Sequence, residues 1–247
     1  MNLTVDIGNT AVKWATFEGR TLVESGVWGA ESGKRRVENI MVCASGDDGK
    51  LEALRDYFNQ QGSPFSVLRS PFEHLPIRLD YKTPATLGAD RVADACGAWS
   101  LHRGEPCLII DAGTCITVDF LDGEGTYHGG AIMPGLGMSL RALNTFTARL
   151  PLVSLEGVER APVLGRSTEE SILAGTLGAT LLALAGYVAL YREKAPALHV
   201  IVTGGDAERL MASGTNQWEH VPHLAMTGMN EILMNGEWGR KVIKEKK

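Results

Sequence analysis

Two segments of the chain end an apolar run in Asp, any residue, Gly: Val5-Asp6-Ile7-Gly8-Asn9-Thr10 and Ile110-Asp111-Ala112-Gly113-Thr114. Glycine lets the backbone turn tightly and approach a ligand closely. Exposed N–H groups and the hydroxyls of Thr10 and Thr114 can then bond phosphate oxygens. Lys13, just past the first turn, can add a positive charge. Asp6 would repel phosphate, so its expected task is to hold Mg²⁺, directly or through water. Taken singly, each turn is also an ordinary hairpin. Their repetition, with Gly204-Gly205 after a later apolar run, argues for a nucleotide, because bulky side chains there would block an adenosine. Neither G-x-x-x-x-G-K-[ST] nor G-x-G-x-x-G occurs.

Phosphoryl transfer to a hydroxyl also needs a group that takes the proton. Asp90, in Gly88-Ala89-Asp90-Arg91 at the expected start of a helix, is the candidate. A helix N-terminus stabilises a carboxylate, and Arg91 can clamp a substrate carboxylate bidentately. The same pair could equally do no more than cap the helix. His220 and His223 have no carboxylate to complete a metal site, and His128 is expected at the surface.

The elements that must position these residues alternate between strand and helix, which points to an α/β fold. Strands are expected at 2–5, 11–17, 21–28, 40–44 and 65–68, and helices at 51–61 and 87–102, the latter with an apolar face of Val92, Ala95, Cys96 and Trp99. Residues 71–84, with three prolines, read as irregular. Arg103-Gly104-Glu105-Pro106 breaks the chain there, giving domains over 1–105 and 106–247. The second half repeats the pattern, with strands at 107–110, 116–121, 127–133 and 199–202 and helices at 138–146 and 171–193. Ser167 or Thr168 can cap the long helix. Gly175, Gly178 and Gly186 on that helix imply close packing or a ligand, and a last helix is expected over 229–247.

With 247 residues, 44% of them hydrophobic, the chain can bury a sizeable core. A net charge of −5 argues against non-specific nucleic-acid binding. Cys43, Cys96, Cys107 and Cys115 show no zinc spacing. There is no signal-like N-terminus, and no run of about eighteen apolar residues is expected. A cytoplasmic setting without membrane or nucleic-acid partners is the expectation.

Four motifs, in this order and spacing, resemble the type III pantothenate kinases, part of the superfamily of acetate and sugar kinases, heat-shock chaperones and actin. They are Asp6 to Thr10 with Lys13, Gly88 to Arg91, Asp111 to Thr114, and Gly129-Gly130-Ala131-Ile132-Met133-Pro134-Gly135. The resemblance covers nearly the whole chain. It implies two actin-like (ribonuclease H-like) domains with a central cleft, and ATP-dependent phosphorylation of pantothenate to 4'-phosphopantothenate, the first step of coenzyme A biosynthesis. It implies that Asp6, Ile7, Gly8, Asn9 and Thr10 bind ATP together with Ala11, Val12, Lys13 and Thr114. Asp90 would accept the proton, and Tyr81, Gly88, Ala89, Asp90 and Arg91 would line the pantothenate site. Asp111 would hold a monovalent cation, potassium or ammonium, beside the Mg-ATP. Thr168 would touch substrate from the partner subunit, which implies a homodimer. Two departures stand out: Cys43-Ala44-Ser45-Gly46 lacks the family's usual form, and Ser167-Thr168 replaces its Asn-Thr. Another actin-like small-molecule kinase would share the ATP turns without Tyr81 and Gly88 to Arg91, and a non-catalytic regulator would share the fold alone.

Overall fold

The computed structural model describes residues 1–8, 10–29, 37–44, 48–60, 62–63, 65–160, 162–212 and 218–235. In chain order these form β1 (Asn2–Ile7), β2 (Val12–Glu18), β3 (Thr21–Val27), β4 (Asn39–Ala44), α1 (Asp48–Gln60), β5 (Phe65–Leu68) and β6 (Arg78–Leu79). A single 3-10 turn, Pro84–Thr86, precedes α2 (Ala89–Leu101). Then follow β7 (Cys107–Ala112), β8 (Cys115–Leu121), β9 (Thr126–Pro134), α3 (Leu136–Phe146) and α4 (Thr168–Leu173). A π turn, Ala174–Gly178, joins α4 to α5 (Ala179–Lys194), and β10 (His199–Thr203), α6 (Ala207–Ala212), β11 (Glu219–His220) and α7 (Leu224–Met234) complete the chain. Two compact units result. One holds Met1–Gly104, Leu121–Gly129 and the chain from His223 onward, and the other Glu105–Phe120 and Gly130–Pro222.

In the first unit the sheet order is β3-β2-β1-β4-β5. β1 pairs antiparallel with β2 and parallel with β4. It is therefore covered on both edges, and its sequence is apolar enough to be buried on both faces as well. Leu3, Val5 and Ile7 face Ile40 and Val42 of β4 and Leu51, Leu54 and Phe58 of α1 in one core cluster. Each such side chain contributes about 1.5–3 kcal/mol of burial free energy. Asn2, on the opposite face, donates to Asn230 of α7 at 2.9 Å.

α2 is buried nearly all round, including Arg91 and Asp94, which is more than the one apolar face its spacing predicts. The reason is α7. A Cβ on Gly228 would overlap the Ala93 carbonyl, and one on Gly97 would lie 2.5 Å from the Leu224 carbonyl. The two backbones thus approach through paired glycines. Glu231 of α7, also buried, receives Arg20 at 2.7 Å and Arg103 at 3.0 Å. Its charge is compensated there by two guanidinium groups, as a buried carboxylate requires.

The six-stranded second sheet, β11-β10-β7-β8-β9-β6, repeats the order of the first with β6 added at its edge: β9-β8-β7-β10-β11 corresponds to β3-β2-β1-β4-β5. β7 pairs in parallel with β10 as β1 does with β4, and Thr203 of β10 lies opposite Asp111. α6 stands between β10 and β11 as α1 stands between β4 and β5. The repeat visible in the two Asp-x-Gly motifs is a repeat of topology. Leu108, Ile110, Ile116, Val118, Leu184 and Val188 form part of this unit's core.

Several expectations change. β6 lies inside the stretch read as irregular, and it pairs in parallel with Thr126 and Tyr127 of β9. A two-residue strand has too few side chains to show a period. The continuous helix Thr168–Lys194 meets the length and composition of a membrane span, with mean hydropathy 1.8 and 28% of that window buried. This corrects the expectation of no such run: Ile172 to Leu190 carries no charge, and its glycines and threonines mask the stretch. Gly175 and Gly186 on this helix have open space where a Cβ would stand, so packing within the chain does not require them. α7 begins at Leu224, before the expected start, and the part of that expected helix after residue 235 lies outside the described residues.

Candidate active site

In the first unit, β1 delivers Asp6 and Ile7 to a tight turn that returns as β2. The Gly8 N–H donates to the Ala11 carbonyl at 3.1 Å, and a Cβ on Gly8 would sit 3.2 Å from the same oxygen. Asn9 lies outside the described residues. Thr10 is exposed at the tip, while Ala11, Val12 and Lys13 are half-buried on the return. The register sets Lys13 directly opposite Asp6, so the two charges share one face of the sheet.

Asp90 occupies the first turn of α2. Its Oδ1 accepts the Arg91 N–H at 2.8 Å. Gly88 is the residue before the helix, and a Cβ there would collide with that oxygen, so with any other residue the Asp90 carboxylate would have to shift. Ala89 is buried behind it. Asp90 is close enough to Asp6 to matter electrostatically: burial first, then Asp90, pushes the Asp6 carboxyl up to about 6 against the pull of Lys13. A neighbouring carboxylate and a partly desolvated setting both oppose the ionisation of Asp6.

Arg91 is buried with its guanidinium carbon 5.9 Å from the Tyr81 ring centre and 6.0 Å from that of Tyr127. Stacking on aromatic faces orients a planar cation without neutralising it. Of the residues predicted from sequence, this unit thus gathers Asp6, Lys13, Gly88, Ala89, Asp90, Arg91 and Tyr81. It adds some that sequence reasoning missed. Asp94, one helical turn beyond Asp90, is buried, and its four-residue spacing from Asp90 was the available signal. Cys43 is buried beside Asp6, Asp90 and Asp94, and burial together with those charges drives its thiol well up. It is a neutral wall, not a nucleophile. Tyr127 had no short-range signal. His223, at the head of α7, pairs with the Ser25 hydroxyl at 3.1 Å, and burial, then Lys13, lowers its pKa.

In the second unit, Asp111 and Thr114 flank the equivalent turn, where the Gly113 N–H donates to the Cys115 carbonyl at 2.9 Å. Two other loops close on it. A Cβ on Gly135 would overlap the carbonyls of Gly113 and Thr114, and one on Gly204, at φ +95°, would overlap the Ala112 carbonyl and Asp111 Oδ1. The Asp206 N–H donates to the Ala112 carbonyl at 2.9 Å. The result is a turn rich in oxygen, with a carboxylate at its start. Thr168, in the same unit, is exposed as the first residue of α4, and Ser167 is the cap, its hydroxyl accepting the Glu170 N–H at 3.2 Å.

Solved structures share this architecture. A Baf family protein from Campylobacter jejuni matches with a TM-score of 0.59 at 21% identity, over 94% of this chain and 97% of that one. A ROK family glucokinase from Streptomyces griseus matches at 0.50 and 15%, over 95% and 99%. The fold is that of a protein with two actin-like domains. The profile of the type III pantothenate kinase family matches residues 32–190. A type III pantothenate kinase from Bacteroides fragilis is 41% identical over 215 residues, 83% of this chain and 86% of that protein. Another, from Christiangramia forsetii, is 35% identical over 246 residues, 94% of this chain and 98% of that protein. The chain belongs to the type III pantothenate kinase family.

Proposed function

We propose that the paired carboxylates of the first unit carry the pantothenate kinase reaction, Asp90 taking the proton from the acceptor hydroxyl and Asp6 holding the divalent cation that accompanies ATP. The activity follows from family membership: phosphoryl transfer from ATP to pantothenate, on the way to coenzyme A. The observation that supports the residue roles is the proximity of Asp90 to Asp6, with Arg91 beside it. A carboxylate at a helix N-terminus can accept a proton while Arg91 meets the substrate's carboxylate and Tyr81 its flank. Exposed N–H groups of the Asp6–Lys13 turn would receive phosphate oxygens, with Lys13 adding charge, and in the second unit the Thr114 hydroxyl of the equivalent turn can bond a phosphate oxygen in the same way. The donor set suits a hard divalent cation, since Asp6 is a carboxylate beside a second carboxylate. When bound, that cation neutralises charge on the phosphates.

Replacing Asp90 by Asn keeps its shape and removes its basicity. Nucleotide affinity should stay within about twofold, and turnover should fall by about 10²–10⁴. Turnover near wild type would remove Asp90 from the role.

Asp111 is the proposed ligand of a monovalent cation, potassium or ammonium. Support comes from the carbonyl of Ala112 and Asp111 Oδ1 both converging on Gly204, an oxygen set suited to hard cations. Activity should require potassium or ammonium, and Asp111→Asn should abolish that requirement along with most turnover. Equal wild-type rates in tetramethylammonium would refute it.

A homodimer is the proposed assembly. Gly175, Ala179, Leu182, Gly186 and Leu190 are all exposed and recur at helical spacing along Thr168–Lys194. Leu182 and Leu190 are 71% and 59% exposed, an apolar stripe that suits a protein partner. Thr168 opens the same helix, so two copies pairing along it would carry Thr168 into the interface. The proposed compartment is the cytoplasm, which suits four free cysteines.

A further inference from the structure

We propose that His128 is a positioning residue for the acceptor site: it bridges Asp80 to Asp122 and so fixes Tyr81, and through it Arg91, in the orientation that receives pantothenate. The inference rests on the reading that Tyr81 and Arg91 bind pantothenate.

Tyr81 follows the two-residue β6, whose own backbone bonds are few. The Arg78 N–H donates to the Gly125 carbonyl at 2.8 Å and the Asp80 N–H to the Tyr127 carbonyl at 2.9 Å. The Tyr81 ring rests on Gly129, where a Cβ would stand 2.8 Å and 3.0 Å from its carbons, and it lies 6.1 Å from the Tyr127 ring. The wall behind the Tyr81–Arg91 pair is therefore the strand from Thr126 to Gly129. Side chains must hold so short a strand against that wall. Asp122 is well anchored, accepting the Glu124 N–H at 2.9 Å and the Thr126 N–H at 2.8 Å. Asp80, adjacent to Tyr81, is largely exposed. His128 joins them, with Nε2 2.7 Å from Asp122 and Nδ1 3.2 Å from Asp80.

Both ring nitrogens thus face carboxylate oxygens, and only the imidazolium can donate at both. The hydrogen bond to Asp122 raises the His128 pKa against its partial burial, and Asp80 adds to the rise. Burial of Asp122 works the other way, but His128 and the two backbone donors still hold its carboxyl below the usual range. The other charged groups on the packed elements include Arg78 and Glu124, 3.6 Å apart, Arg91 on the tyrosine rings, Asp119 of β8, and Asp90 and Asp94 of α2. Among these side-chain types only an imidazole ordinarily titrates between pH 5 and 8. Because the folded value is raised, the bridge is intact below the ordinary value of 6.5 and is lost as pH rises through the raised one.

Steady-state kinetics of the full chain test this. In the wild type, KM for pantothenate should rise about three- to tenfold between about pH 6.5 and pH 9. His128→Gln should show the raised KM at every pH, with kcat and the KM for ATP within about twofold of wild type. Asp122→Asn, which removes the anchoring charge, should flatten the profile in the same way. A His128→Gln enzyme with wild-type KM and pH profile would overturn the inference. So would a loss spread equally over kcat, both KM values and melting temperature, which marks a merely structural residue. Arg91→Ala separates the two levels. If it raises the pantothenate KM while His128→Gln does not, only the bridge falls. If it leaves that KM unchanged, the reading of the acceptor site falls and the inference with it.

Discussion

Asp6 lies where burial and a neighbouring carboxylate both oppose its charge, and the protein without ligand bears that strain. Its pKa is about 6, against an ordinary value of 3.8. A raised acid holds its proton longer in the folded state than in the unfolded chain. Its contribution is therefore most favourable below about pH 3.8 and is lost as pH rises through about 6. Ionising the buried carboxyl at neutral pH thus costs on the order of 3 kcal/mol more than ionising it in water. Asp6→Asn should raise the melting temperature of the ligand-free protein at about pH 7, with the gain shrinking towards pH 4, while activity is lost. A variant that melts lower than wild type at neutral pH would show that Asp6 is stabilised by something other than this balance. A residue that costs stability is expected where function selects it.

The contact of α2 with α7 fixes the helix that presents Asp90 and Arg91. Gly228 has no room for a Cβ, because the Ala93 carbonyl and the Gly97 nitrogen already occupy it. Backbone atoms cannot rotate away, so Gly228→Ala must separate the helices. It should destabilise by about 2–4 kcal/mol in urea unfolding and lower kcat through the displaced N-terminus of α2. Gly186→Ala on α5 is the contrast. Nothing lies within 4 Å of its Cβ position, and helix propensity alone predicts a gain of up to about 1 kcal/mol in the monomer. Equal effects from the two substitutions would mean that propensity, not packing, sets the role of these glycines.

Both sheets share one strand order with a strand–turn–strand at the centre, yet the turns differ in what surrounds them. The first has Lys13 opposite its aspartate, and the second has Gly135 and Gly204 closing over its carbonyls. That difference supports phosphate and divalent-cation work for Asp6 and a monovalent cation for Asp111. At the scale of the assembly, the exposed stripe on Thr168–Lys194 predicts that Leu182→Glu yields a monomer in sedimentation velocity, with pantothenate KM raised by loss of the partner's Thr168. A Leu182→Glu variant that sediments as wild type would discard this face as the interface.

Much of this was legible without coordinates, because its signals are local. An apolar run followed by Asp-x-Gly specifies strand and turn within eight residues, so β1 and β7 and the two turns that follow them could be read directly, and their repetition already announced the duplicated sheet. Gly88 to Arg91 could be read as a helix start because the N-terminal carboxylate and the preceding glycine are neighbours in sequence. What the tertiary structure decided depends on partners far apart in the chain. β6 exists because Thr126 and Tyr127 offer it an edge. Gly228 matters because Ala93 is there, and Tyr127 reaches Arg91 only through packing. His128, expected at the surface, is held by Asp80 from a separate segment. Sequence determines what a short stretch favours by itself; burial, desolvation and the coupling of Asp6 to Asp90 arise only when remote segments exclude water from one another.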